Sequence, residues 1–256
     1  MQILSYEHMA GIYIHIPFCA SKCIYCDFYS STELGLRGQL YDAVVKELRA
    51  QRSYLAGQPV RTIYFGGGTP SLLMPGQLQG LVDEIKGLWD FGGLSEVTVE
   101  ANPDDLNPEY LHELAATDIN RLSIGIQSFI DRDLGFMGRR HTAGQAVDAV
   151  RSAQLAGFDN ITIDLIYGIP GMSADEWRSN VEQAAGLGVQ HISAYHLTVE
   201  PGTPLGCLAG NGGFRPIDEQ SSEEHFAVLR EVLSATGYEH YEISNFALPG
   251  LRAVHN

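Results

Sequence analysis

Short apolar runs alternate with amphipathic stretches along almost the whole chain. Ile12 to Ile16 is a strand-like run, and the stretch Gly38 to Leu55 carries apolar residues at Leu40, Val44, Leu48 and Leu55 with charges between them, the pattern of an amphipathic helix. The rhythm repeats. Strands are expected at Thr62 to Phe65, Ser95 to Glu100, Arg121 to Ile126, Ile161 to Tyr167 and His191 to Val199. Helices are expected at Gln77 to Trp89, Pro108 to Ala116, Ala143 to Ala156 (closed by Gly157, a common C-terminal cap) and Ala174 to Leu187. Residues 200 to 216, rich in Gly and Pro, read as a long loop. Asp218 to Ala235 then reads as a helix and Tyr238 to Ile243 as a short edge strand. Strand-then-helix units in series indicate an α/β fold, either a parallel barrel or a doubly wound sheet. Periodicity does not choose between them.

A chain of 256 residues matches the size of one α/β barrel. A hydrophobic share of 45% supports a real core, and no apolar run reaches the ~20 residues of a membrane span. Residues 1 to 10 lack the basic start and apolar centre of a signal peptide. Together these place the protein in the cytoplasm or an organelle matrix, where thiols stay reduced. Sixteen Lys plus Arg against 31 Asp plus Glu give a net charge of −15, which lacks the basic footprint of a nucleic-acid-binding surface.

Three of the four cysteines, Cys19, Cys23 and Cys26, crowd into the segment after the first strand and Pro17. Cys23 and Cys26 alone could be half of a zinc site or a redox dithiol. A zinc site needs a second pair, and the remaining cysteine is the distant Cys207; a dithiol leaves Cys19 without a role. Four cysteines are too few for a disulfide framework in a chain of this length. Thiolates are the natural ligands of iron–sulfur clusters, and three of them leave one iron of a four-iron cube open for chemistry.

The spacing C-x3-C-x2-C, with Tyr25 just before the last cysteine, resembles the signature of radical S-adenosylmethionine (SAM) enzymes. The flanking Tyr-Ile-His-Ile-Pro-Phe-Cys and Tyr-Cys-Asp-Phe-Tyr are similar to the oxygen-independent coproporphyrinogen III oxidase family, and in particular to its heme-chaperone branch, the HemW type. The resemblance implies an open (βα)6 partial TIM barrel over residues 1–213, with a cluster loop at 17–30, followed by a helix and edge strand over 214–256. It implies a [4Fe-4S] cluster whose open iron is chelated by S-adenosylmethionine, an electron donor, and heme or a porphyrin as ligand, with a recipient hemoprotein on the chaperone branch. Full-length relatives continue past His255-Asn256 with an aromatic pair and a small domain, so the sequence is expected to be truncated. Two features favour the chaperone over the decarboxylase: Phe28 stands where the decarboxylase has a fourth cysteine, and only ten residues precede strand one.

Chemistry in a parallel barrel sits at the C-terminal ends of the strands. Polar residues breaking apolar strands near those ends are therefore candidate site residues. Gly66-Gly67-Gly68-Thr69-Pro70 can be a plain turn or a strip where backbone meets ligand; the resemblance makes Gly67, Gly68 and Thr69 the holders of the methionyl amino group. Glu100 and Gln127, each at a strand end, match cofactor-contacting positions of the family. One of Arg139 and Arg140 suits a carboxylate fork, and the family's Gly-Arg favours Arg139. Asp164, inside an apolar strand, needs a partner or a ligand on energetic grounds alone. Tyr13 matches a tyrosine beside the adenosyl group, and the resemblance also makes Tyr25 a contact of S-adenosylmethionine. His15 could shape the cluster loop, His196 could face the cavity, and His255 matches a histidine assigned to heme in the chaperone branch.

Overall fold

The structure, a computed structural model, describes residues 10–91, 93 and 95–256. The expectation about a signal peptide falls almost wholly on residues 1–9, outside them. Five βα units and a sixth strand follow one another: β1 (Ala10–Ile16), α1 (Arg37–Ala50), β2 (Val60–Gly67), α2 (Pro75–Leu88), β3 (Glu96–Ala101), α3 (Pro108–Ala115), β4 (Arg121–Gln127), α4 (Asp131–Met137), α5 (Ala143–Leu155), β5 (Ile161–Tyr167), α6 (Ala174–Gly186) and β6 (His191–His196). After β6 come α7 (Pro204–Gly210), α8 (Glu219–Ala235), β7 (Glu239–Glu242) and β8 (Asn245–Ala247).

The strands lie in the order β1-β2-β3-β4-β5-β6-β8-β7, so the six parallel strands neighbour one another in chain order and β1 never meets the far edge. A doubly wound sheet reverses direction at a switch point; this one does not, which makes it an open partial barrel. β8 runs antiparallel to β6 and to β7, so the last two strands finish the edge that β6 would otherwise expose.

Alternation along the strands explains both faces. Ile14, Ile16, Ile63, Phe65, Val97, Val99, Leu122, Ile124, Ile163 and Leu165 point outward and are buried under the helices. Their alternates, among them Tyr13, His15, Thr62, Tyr64, Glu96, Glu100, Arg121, Ser123, Asp164 and His191, line the inside. An eight-stranded barrel normally fills its interior with branched apolar side chains. Here the lumen is polar, a lining suited to a ligand.

The helices begin where local chemistry allows. Thr142 and Ser173 cap α5 and α6 in reciprocal boxes with Gln145 and Glu176, and Asp218 caps α8 by accepting from Ser221. Trp177, wholly buried in α6, donates its indole N–H to the His225 carbonyl of α8 at 2.8 Å, which locks those two helices together.

Four element expectations need correction. α1 ends at Ala50, not Leu55, because residues 51–57 break into turns closed by Ala56 and Gly57 at positive φ. β6 stops at His196. The stretch expected to be loop holds α7, started by Thr203, whose hydroxyl accepts from Gly206, and by Pro204 at the first helical position. Finally, α4 is a helix that the apolar pattern does not announce; Gly138 ends it at φ 75°.

Candidate functional site

Residues 17–31 leave β1 and return to it. Ser31 donates its N–H to the Pro17 carbonyl at 2.6 Å, and Cys19 donates to Ser31 at 3.0 Å, so the loop closes at its base. Its far side is held from two directions: Ile24 donates to the Met137 carbonyl of α4 at 3.2 Å and accepts from the Leu205 N–H of α7 at 2.9 Å. His15 braces the loop from the strand. Its Nε2 faces the Tyr29 carbonyl at 2.9 Å, which can only accept, so Nε2 carries the proton and Nδ1 accepts from the Tyr13 hydroxyl at 3.0 Å.

Cys19, Cys23 and Cys26 are all free and partly accessible in this loop, while Cys207 lies exposed on α7. Donors from two other segments aim at the sulfurs. The Thr69 hydroxyl reaches Cys19 Sγ at 3.6 Å, and Arg139 Nη1 reaches Cys23 Sγ at 3.4 Å. A Cβ built on Gly68 would come within 2.6 Å of the Phe18 carbonyl oxygen and 3.0 Å of Cys19 Sγ, so only glycine lets β2 approach the loop this closely. Burial pushes the Cys26 thiol up, and the neighbouring cysteines add to that. Among the described residues no three His, Cys, Asp or Glu side chains converge on one metal-ion position. A four-iron cube does not ask for that, because each thiolate takes a different iron. Sulfur ligands, donors directed at sulfur and a side-chain-free backbone cradle all fit such a cluster.

Beside the loop lies the carboxylate part of the lumen. Tyr64 donates its hydroxyl to Glu100 Oε1 at 2.8 Å, and Gly67 donates its N–H to Oε2 at 3.1 Å. Gly67 has φ 116°, and a Cβ there would press on the His15 ring at 2.6 Å. Burial pushes Glu100 up to about 7 against the two hydrogen bonds, and the nearby Asp164 charge pushes the same way. Asp164 is itself raised to about 6 by burial, opposed by its bonds to Ser193 and Ser123, the latter at 3.2 Å. Two half-buried acids side by side in a lumen are poised for a cationic ligand, which would relieve both.

Gln127 lies at a register shift between β4 and β5 and has φ 70°, a left-handed backbone uncommon for a residue with a side chain. The shift aims its amide into the mouth near Arg139: both Gln127 Nε2 and Arg139 Nη2 would crowd a Cβ on Gly125. Structure separates the two adjacent arginines. Arg139 turns inward to Cys23, Asn102 and the Gly125 carbonyl, whereas Arg140 turns outward to Asp104 at 2.5 Å and Asp105 at 3.5 Å.

The candidates Tyr13, Gly67, Gly68, Thr69, Glu100, Gln127, Arg139 and Asp164 thus share one end of the barrel with the three cysteines, and Tyr25 packs inside the loop, its hydroxyl pKa raised by burial. Two histidines are elsewhere. His196 lies on the helix side of β6, edge-on to Tyr167, so it does not face the lumen as its late position in β6 suggested. His255 sits near the opposite end of the barrel. Its Nδ1 pairs with Thr62 at 2.8 Å, its ring stacks on Tyr64 at 5.1 Å, and its N–H and that of Val254 both donate to Glu96. Glu96 in turn neighbours the buried Arg121 at 3.7 Å, and Arg121 also donates to Thr162. Asn102, with contacts to both Arg139 and Thr69, escaped the sequence reading: it precedes Pro103 and looks like a turn former.

Comparison with known proteins places this geometry. The profile of the radical SAM superfamily matches residues 13–184. The heme chaperone HemW of Lactococcus lactis is 40% identical over 95% of this chain and 64% of its own length. HemW of Mycobacterium tuberculosis is 38% identical over 96% of this chain and 64% of its own. The chain thus spans just under two thirds of the length of these relatives. Among solved structures, the coproporphyrinogen III oxidase of Escherichia coli superposes with a TM-score of 0.82 over 94% of this chain and 56% of that one, at 24% identity, a likeness of fold.

Proposed function

The chain belongs to the radical SAM superfamily, and from that premise we propose that Cys19, Cys23 and Cys26 hold a [4Fe-4S] cluster in a protein of the heme-chaperone type, one that binds heme and delivers it to recipient hemoproteins. The observation that carries the first half is the set of three free thiols in one strapped loop, with Thr69 and Arg139 donating to two of the sulfurs. When bound, a reduced cluster of this kind supplies the electron that cleaves the sulfonium of S-adenosylmethionine.

This chain's own residues bind and orient. The backbone of Gly67, Gly68 and Thr69 offers a side-chain-free strip to the methionyl end. Glu100 accepts a hydrogen bond from its amino group, and Arg139 brings positive charge beside its carboxylate. Gln127 and Asp164 take polar groups deeper in the mouth, and Tyr13 flanks the adenosyl part.

The heme half rests on the names of the similar proteins and on Phe28 in place of a fourth cysteine. If His255 serves heme, its free ring atom for iron is Nε2, since Nδ1 is taken by Thr62. Among the described residues no helix is long and apolar enough to cross a membrane; a compartment with reduced thiols, the cytoplasm or an organelle matrix, suits the cluster. The test is anaerobic reconstitution followed by heme titration. Stoichiometric heme uptake without decarboxylation of coproporphyrinogen III supports the chaperone; formation of protoporphyrinogen IX overturns it in favour of the oxidase.

A further inference from the structure

We propose that Asn102 is a positioning residue for the cluster, its side-chain amide fixing the directions in which Thr69 and Arg139 donate hydrogen bonds to Cys19 and Cys23. This inference rests on the reading of the three cysteines as cluster ligands.

The orientation of the amide follows from its neighbours. A guanidinium has donors and no acceptor, so the atom facing Arg139 Nη2 at 2.6 Å must be the carbonyl oxygen Oδ1. That leaves Nδ2 facing Thr69 Oγ1 at 3.1 Å. An N–H donated to Oγ1 occupies a lone pair of the hydroxyl and turns its own proton away from Asn102, toward Cys19 Sγ at 3.6 Å. On the other side Arg139 Nη2 is shared between Asn102 and the Gly125 carbonyl at 2.7 Å, which steadies the fork so that Nη1 meets Cys23 Sγ at 3.4 Å. The chain Cys19–Thr69–Asn102–Arg139–Cys23 is continuous, and one amide stands at its centre.

Asn102 is itself fixed. Its N–H lies 3.4 Å from Ser71 Oγ, and Pro103 follows it at the start of a 3-10 turn, Pro103–Asp105. Hydrogen bonds to ligating sulfurs favour the more negative, reduced cluster and so raise its potential. Losing the direction of two such donors lowers it.

The experiment is a redox titration of the reconstituted protein for wild type, Asn102→Ala, Thr69→Val and the double variant. A negative shift of the midpoint potential is expected in each single variant. The double variant is expected to shift by less than the sum, because part of the effect of Asn102 passes through Thr69. A cluster-bearing Asn102→Ala protein with the wild-type potential, or strictly additive shifts, overturns the inference. If Asn102→Ala holds no cluster, the isosteric Asn102→Asp replaces it, read by electron–nuclear double resonance after deuterium exchange. Its carboxylate can only accept, so the Thr69 proton turns to it, and the one exchangeable-proton coupling that Thr69→Val removes should vanish here too, those of Arg139 remaining; persistence of that coupling overturns the inference. A wild-type chain that assembles no four-iron cluster overturns the cysteine assignment instead, and the inference falls with it.

Discussion

Replacing Glu100 with Gln should stabilise the metal-free protein at alkaline pH and do nothing in acid. The substitution keeps an acceptor for the Gly67 N–H, turns an amide N–H to the Tyr64 hydroxyl oxygen, and removes the charge. Burial raises the Glu100 carboxyl from an ordinary 4.5 to about 7. A group raised in the folded state gives stability that is complete below its unfolded pKa and lost as pH rises through the folded one. Wild type therefore carries its full penalty above about pH 7 and none below about 4.5. The gap converts, at about 1.4 kcal/mol per pKa unit, to about 3 kcal/mol; water in the open lumen screens part of that, leaving about 1–2 kcal/mol. Urea denaturation of metal-free wild type and variant, under argon, at pH 4, 6 and 8 reads it. The variant should gain about 1–2 kcal/mol at pH 8, less at pH 6, and nothing at pH 4. An advantage independent of pH, or a variant weaker at pH 8, would refute the placement of an ionisable acid in that pocket.

The same carboxyl must lose its proton to meet a cation, so affinity for S-adenosylmethionine should rise with pH up to about 7 and flatten above it, measured by calorimetry on the reconstituted protein; in Glu100→Gln the pH dependence should shrink. Cys19, Cys23 and Cys26 changed singly to Ala should each lose the cluster, read as iron content and absorbance, while Cys207→Ser keeps it; full iron in any of the first three would remove that residue from the ligand set. Gly68→Ala should lose most of the cluster, because the added methyl meets the Phe18 carbonyl and the Cys19 sulfur at once; wild-type iron content would mean β2 can withdraw from the loop. Glu96→Leu strands the buried Arg121 and frees the amides of Val254 and His255, and should cost about 3–5 kcal/mol in urea denaturation; a loss under 1 kcal/mol would mean another group takes over.

Much of the fold was legible because the strands alternate with helices at regular distance, and much of the site because its cysteines and glycines are close in sequence. What stayed hidden depended on partners far along the chain. Asp164 could be singled out alone, since an acid in an apolar strand needs an explanation. Asn102 could not: before Pro103 it reads as a turn residue, and only the arrival of Thr69 from the turn after β2 and Arg139 from the turn after α4 gives it two neighbours. Only the family's Gly-Arg favoured Arg139 over Arg140 in sequence; the physical difference is the turn after α4, with Gly138 in a left-handed conformation, which sends Arg139 inward and Arg140 to Asp104. The alternating polar lumen was present in every strand but weak in each. α7 was masked by its Gly and Pro content, although Thr203-Pro204 is a helix start.

The most direct measurement is the electron paramagnetic resonance spectrum of the reconstituted, dithionite-reduced protein, recorded with and without S-adenosylmethionine alongside its iron content. Four irons per chain and a spectrum that changes on adding S-adenosylmethionine are expected, because one iron is left for the cofactor to take. Four irons with a spectrum indifferent to the cofactor, or no cluster at all under argon, would contradict the assignment of Cys19, Cys23 and Cys26.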